Sequence, residues 1–306
     1  MRLPLKFSGE QLHAHRHFSA LIFLFITALI ITIGVNAVHF HYPGNAYFPN
    51  NIPCLFLLFC LMYSGSYLLW GDQSYATQVT RELIHLFLVM ALVFIGCVGI
   101  QYTPFAPIDL YIIHWDHAMH IHLAALMHWT QSHPVLHQSM AAAYASLNLQ
   151  LLYLPLTLIF LGQFKRLHEY YVLLLITAFI GYLVYYFFPT TAPASMIESP
   201  YFTEAQRATG LKFKQIHAHI PPSTASGGMI AFPSFHIIWA WLCTFLFRDW
   251  RVAFYLLLTL NITLTVACVL LGWHYASDII ASIFILATAH YTYFKLYPKN
   301  GDQAGS

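Results

Sequence analysis

Charge is what this chain has least of. Asp, Glu, Lys and Arg make up 8% of its 306 residues, while hydrophobic residues make up 59%. Soluble domains carry about 25% charged residues, so a soluble globular protein is excluded and a polytopic membrane protein is indicated. A net charge of +2 with no basic run excludes a nucleic-acid partner. Cysteine is sparse as well: Cys54, Cys60, Cys97, Cys243 and Cys268 are scattered through apolar runs, without zinc or disulfide spacing, and read as small buried hydrophobes. No convincing small-residue cleavage site follows the apolar run after Arg16, so that run reads as a span and not as a removable signal.

What is present is a series of long apolar runs. A bilayer core of ~30 Å needs about 20 helical residues. Runs of that order lie near 19–38, 52–70, 83–101, 144–162, 170–188, 252–271 and 276–296. A shorter run at 234–248 makes an eighth. Pro155 inside the fourth run is expected to kink it or to be absorbed by neighbours. The expected fold is therefore all-α, a polytopic membrane helix bundle of about eight transmembrane helices. With eight spans, both termini share one side with the turns near 71–82, 163–169 and 248–251. That side holds Arg2, Lys6, Arg16, Arg81, Lys165, Arg166, Arg248, Arg251, Lys295 and Lys299, against Arg207, Lys212 and Lys214 on the other. The excess of positive charge puts the termini in the cytoplasm. The expected setting is a bacterial inner membrane, with the chemistry facing the periplasm.

The chemistry-bearing residues flank one hydrophobic hairpin. Ala-Phe-Pro-Ser-Phe-His (231–236) precedes it and His-Tyr-Ala-Ser-Asp (274–278) follows it. A chain that crosses the bilayer and returns brings His236 and His274 to the same face. His274 and Asp278 are four apart and share a helix face, so the carboxylate can take one ring proton and leave the other nitrogen as nucleophile or base. Pro233 and Ser234 look like a helix start, whose free N–H groups suit an anion. Two histidines, a carboxylate and a helix N-terminus form a candidate site for phosphoryl transfer.

These two motifs resemble the type 2 phosphatidic acid phosphatase superfamily. Within it the closer resemblance is to the branch of inositol phosphorylceramide synthase-type phosphotransferases. The resemblance spans roughly residues 83–294 and implies a six-helix core with two helices added at the N-terminus. It divides the chain into a membrane extension (1–82), a catalytic membrane domain (83–297) and a polar tail (298–306). It implies that His274 becomes phosphohistidine, that His236 protonates the leaving alkoxide, that Asp278 orients His274, and that Ser234 contacts a phosphate oxygen. The substrate implied is a lipid phosphate within a setting of membrane lipids, with no metal and no other cofactor. The chain departs from the family pattern at several places. Phe235 replaces the usual Gly, Ala267 and Cys268 stand where the phosphatases carry Ser-Arg, and Lys-x6-Arg-Pro is missing. In Phe188-Pro-Thr-Thr-Ala-Pro193, which resembles the branch's Pro-rich motif, Ala194 follows where a basic residue is often found. The missing Ser-Arg leans the reading toward phosphotransferase.

Phosphoryl transfer needs cationic stabilisation, and Arg207, Lys212 and Lys214 in the segment 189–233 are the basic side chains expected on the histidine side. The segment 102–143 carries His114, His117, His120, His122, His128, His133 and His137. Its stretch 108–129 is expected to form an amphipathic helix lying along the interface or re-entering. His117 and His120 are a metal pair by spacing, or simply a polar helix face. Two other classes stay open: a transporter or lipid-binding protein with a degenerate site, and a metal-handling protein, which rests on the histidine count alone.

Overall fold

The apolar runs become helices, and the helices continue past them. The computed structural model describes the backbone of residues 9–44 and 52–298, and within these the side chains from His17 onward. Among the described residues there are eleven α-helices and no strand. They are α1 (Gly9–Val35), α2 (Ile52–Trp70), α3 (Tyr75–Gly99), α4 (Asp109–Ala118), α5 (Leu123–Gln131), α6 (Pro134–Phe160), α7 (Phe164–Phe187), α8 (Glu204–His217), α9 (Phe235–Leu246), α10 (Arg251–Leu270) and α11 (Ala276–Leu296). Seven of them, α1, α2, α3, α6, α7, α10 and α11, are long and apolar enough to cross a membrane. The polar tail lies outside the described residues beyond Pro298.

The twelve residues of α9 span only ~18 Å at 1.5 Å per residue. Its first residues lie against the second turn of α11, where Ser282 Oγ donates to Ser234 O at 3.0 Å, so the helix starts within the bundle. Just beyond its last turn, Arg248 pairs with Glu169 at the start of α7.

Helix α7 is the hub. It is buried continuously from Tyr170 to Ala178, as a helix apolar on every side must be. Close approach is bought with glycine at two places: a methyl on Gly96 would meet the Tyr182 ring at 2.4 Å, and one on Gly181 would meet Phe235 at 2.6 Å. The Tyr182 hydroxyl donates to Val93 O at 2.6 Å, tying α7 to α3 without an unpaired polar group. On the other flank a polar staple joins three helices. Asn261 of α10 and Gln150 of α6 exchange amide bonds at 2.8 and 2.9 Å, and Asn261 also donates to Ala240 O and Thr244 Oγ1 of α9. Interhelical amide bonds of this kind hold helices together where lipid offers no hydrophobic incentive to do so. Pro155 is absorbed inside a continuous α6.

Three expectations change, and one further helix is found. Helices α3, α6 and α7 begin at 75, 134 and 164, earlier than their apolar runs at 83, 144 and 170. Hydropathy reads only the stretch inside hydrocarbon, whereas Ser74 caps α3 with a 3.2 Å bond to Thr77 N and Pro134 opens α6. The stretch 108–129 is not one helix. It breaks at 119–122, where His120 takes a φ of 60° and Ile121 N returns to Asp116 O at 2.8 Å. The break lets Asp116 face the start of α11 while Leu123 and Met127 pack on Phe202 and Val269. The segment 189–233 contains α8. Finally, Cys97, Cys243 and Cys268 are buried as expected, but on α2 Cys54 is exposed and Cys60 only half-buried.

Candidate active site

The residues around His274 are a link of five, Leu271 to Tyr275, between two long helices. Gly272 makes the turn with a φ of 77°, and a methyl there would sit 2.4 Å from Met127 Sδ. Trp273 N and His274 N both bond Cys268 O, at 3.0 and 2.9 Å, which folds the link back over the end of α10. Helix α11 then starts with the main-chain N–H groups of Ala276 and Ser277 bonded to the carboxylate of Asp116, at 2.8 and 3.0 Å. A second carboxylate, Asp109, accepts from Tyr275 OH at 2.9 Å and from Thr191 N at 2.8 Å. The chain just after His274 is thus held by α4, which carries the two aspartates.

His274 Nδ1 lies 2.8 Å from Ala231 O and 2.9 Å from Asp278 Oδ2. Two acceptors around one ring nitrogen require that it carry the proton, which leaves Nε2 with its lone pair. Asp278 is fully buried and also accepts from Tyr275 N at 3.1 Å. Burial pushes the His274 imidazole down to about 4, outweighing the opposite pull of the Ala231 carbonyl, so the ring is neutral near pH 7. His236 stands opposite, with ring centroids 5.6 Å apart. Its own ring is stacked on Tyr144 at 4.4 Å, and Tyr144 is stacked in turn on Trp273 at 5.1 Å. The stack fixes His236 without spending either ring nitrogen.

His236, His274, Tyr144 and Trp273 line a cavity of about 260 Å³ together with Gln206, Thr209, Gly227 and Gly228. Among the described residues, its wall contains no lysine or arginine. Lys212 lies behind the wall, 2% exposed, with Nζ 2.6 Å from Ser226 O and 3.3 Å from Gly227 O. Burial lowers this amine to about 8. Arg207 is at the surface and bonds Ser199 O at 3.1 Å; Lys214 is exposed. Ser234 is fully buried outside the cavity wall. Its hydroxyl faces the Cys268 thiol and has no nitrogen or oxygen partner among the described residues. Phe235, in place of the family's glycine, turns away from the cavity onto Gly181, Tyr182 and Trp239, where the missing Cβ of Gly181 makes room for it.

So the structure brings His236, His274 and Asp278 together and leaves Arg207 and Lys214 outside. It adds Tyr144, Trp273, Asp109 and Asp116, which sequence reasoning did not select for a role. An acid followed by a distant backbone partner leaves no local pattern, so the two aspartates were not legible. Helix α8 was: Thr203-Glu-Ala-Gln206 is a capping box, with Thr203 N bonded to Gln206 Oε1 at 2.8 Å and Gln206 N to Thr203 Oγ1 at 3.3 Å.

A family model described as the PAP2 superfamily matches residues 110–292, well over half of the chain. This protein belongs to the PAP2 superfamily. The match takes in both histidine motifs, Asp116 and the four long helices from α6 to α11, and membership suggests phosphatase-type activity on lipid phosphate in a multi-pass membrane protein. No curated protein and no solved structure matches the chain.

Proposed function

We propose that the protein transfers a phosphoryl or phosphoalcohol group from a membrane lipid through a phosphohistidine at His274. The observation that carries this is the double restraint on His274 Nδ1, which leaves Nε2 as a neutral nucleophile in a cavity shared with His236. In the first half-reaction Nε2 attacks phosphorus, the P–O bond to the lipid alkoxide breaks, and His236 gives that oxygen its proton. In the second, an acceptor O–H loses its proton to His236 while its oxygen displaces Nε2. The lean toward an alcohol acceptor, as in the inositol phosphorylceramide synthase-type branch, rests on Ala267 and Cys268 in place of Ser-Arg. A cavity of about 260 Å³, below the ~300–1,000 Å³ of whole small-molecule sites, suits a headgroup whose acyl chains stay in the bilayer.

Phosphate charge is met by backbone N–H groups and by Lys212 acting across the Ser226–Gly227 carbonyls. Arg207 and Lys214 supply long-range attraction, and Ser234 contributes if substrate draws the start of α9 toward the phosphate. The site faces the extracytoplasmic side, which the asymmetry of basic residues supports. One observation favours the alternative, a lipid-binding or transport protein with a degenerate site: among the described residues no lysine or arginine stands in the cavity wall.

Screening the purified protein against phospholipids and isoprenyl phosphates, with and without alcohol acceptors, decides between these. Free phosphate marks a phosphatase, a new phosphodiester lipid marks a transferase, and binding without either product marks the alternative. Catalysis is expected to survive chelation and to be blocked by vanadate, a mimic of five-coordinate phosphorus. Sidedness is read separately: a cysteine at Ser226 should react with an impermeant thiol reagent outside intact cells, and one at Gln73 should not. The reverse pattern would move the chemistry to the cytoplasm.

A further inference from the structure

At the end of the bundle opposite His274, three side chains converge that phosphoryl transfer does not use. Glu82 ends the second turn of α3, His85 lies on its third, and His168 opens the second turn of α7. His168 Nε2 is 3.0 Å and His85 Nδ1 3.2 Å from Glu82 Oε1, and one ligand atom from each residue lies within 4.8 Å of the other two. Glu82 is 2% exposed, and its second oxygen, Oε2, is buried without a hydrogen-bond partner. A carboxylate taken out of water with one oxygen bare lacks a counter-charge, and two imidazoles beside it can supply lone pairs. The two rings remain partly exposed, 36% for His85 and 48% for His168, so an ion can enter from the aqueous side.

We propose that Glu82, His85 and His168 form a zinc-class divalent metal site that pins α3 to α7. Two imidazole nitrogens and one carboxylate are a known zinc ligand set with the fourth position left to water. Bonds of about 2.1 Å in a tetrahedron put ligand atoms roughly 3.4 Å apart. The 3.0 and 3.2 Å separations are already close to that, and the widest pair closes by a turn of the half-exposed rings. Binding moves the proton of each ligating nitrogen to the other ring nitrogen or to water, so zinc uptake is accompanied by proton loss or tautomer exchange. The competing reading is an ion pair of Glu82 with protonated histidine, which holds no metal. The histidine-rich stretch that first raised metal binding, 114–137, forms no such group: His117 and His122 contact ring to ring at 4.8 Å, and no trio of ligands gathers there among the described residues.

The test uses the full chain in detergent, stripped with chelator, desalted and titrated with zinc chloride alone. Bound zinc and the melting temperature are followed in wild type, Glu82→Gln, His85→Ala/His168→Ala, and the control His117→Ala/His122→Ala. One zinc per chain with a raised melting temperature is expected in wild type and control, and loss of both effects in the other two variants. His85 and His168 are partly exposed, so their removal spares the core; a zinc-free melting curve like that of wild type verifies the fold. Cobalt should give the intense visible bands of a four-coordinate ion in wild type only where zinc also binds. The proposal is overturned if wild type binds no more zinc than the His85/His168 variant, or if the control loses zinc equally.

Discussion

The two ends of the bundle solve the same problem, holding helix ends together, with opposite chemistry. At the His274 end, buried carboxylates are spent on main-chain N–H groups: Asp116 on Ala276 and Ser277, Asp278 on Tyr275, Asp109 on Thr191. At the other end, carboxylates face cationic side chains. Arg166 pairs with Asp249, Arg248 with Glu169, and Arg81 reaches Asp72 at 3.7 Å, while Arg166 and Arg248 also lie over the Trp250 and Phe245 rings. The lesson is about rigidity. A carboxylate bonded to backbone fixes the path of the chain and hence the position of the His274 ring, whereas a pair of long side chains latches elements and tolerates slack.

That contrast can be tested by removing parts from each end. The largest loss is expected from His274→Ala and His236→Ala, each of which should abolish turnover while the protein still inserts and folds, because each removes a reacting group of the proposed mechanism. Asp278→Asn should leave partial activity, since it removes an orienting group. Product assays on membranes with matched protein levels check all three, and wild-type rates in His274→Ala would end the mechanism.

Next come the clamps. Asp116→Ala and Asp109→Ala each leave buried N–H groups without an acceptor and should cost about 1–3 kcal/mol of stability. Turnover should fall along with thermal stability, although neither residue touches the cavity. If both variants melt like wild type, the backbone-clamp account of this end is wrong.

A subtler effect concerns pH. His274 has a folded value of about 4 against an ordinary 6.5. Between those values the unfolded chain takes up a proton that the folded chain refuses, so stability falls as pH drops through that window and is regained as it rises. The neutral ring needed for attack persists to about pH 5, so loss of activity near pH 6 would have to come from another group. Melting curves of wild type and His274→Gln from pH 7 to pH 4 should diverge, with the variant less acid-sensitive; parallel curves would contradict this.

The smallest effect belongs to the latches. Arg166→Ala removes a pair whose partner, Asp249, is more than half exposed, and should cost about 0–1 kcal/mol with unchanged turnover. A large activity loss there would erase the distinction between the ends.

What the sequence revealed follows from which interactions are local. Apolar runs located the spans because a helix in lipid must be apolar over its hydrocarbon length, yet they missed the starts of α3, α6 and α7, where Ser74 and Pro134 hold the boundary information. The spacing of His274 and Asp278 was readable because four residues is one helical turn. Ala231, Asp109 and Asp116 act on residues 43, 166 and 160 positions away, and contacts that distant have no local sequence signature. Phe235 looked like a departure at the site and proved to be a core residue, because its fit depends on Gly181 across the bundle.

In the proposed reaction His274 Nε2 becomes bonded to phosphorus. The direct measurement is an alkaline denaturing quench of the wild-type protein during turnover of a lipid phosphate, followed by peptide mass spectrometry. The prediction is one phosphorus on the peptide carrying His274, as phosphate from a monoester donor or as the phosphoalcohol from a diester donor, lost in acid and missing from His274→Ala. Steady product formation with no phosphorus on His274, or with phosphorus on another residue, would contradict it.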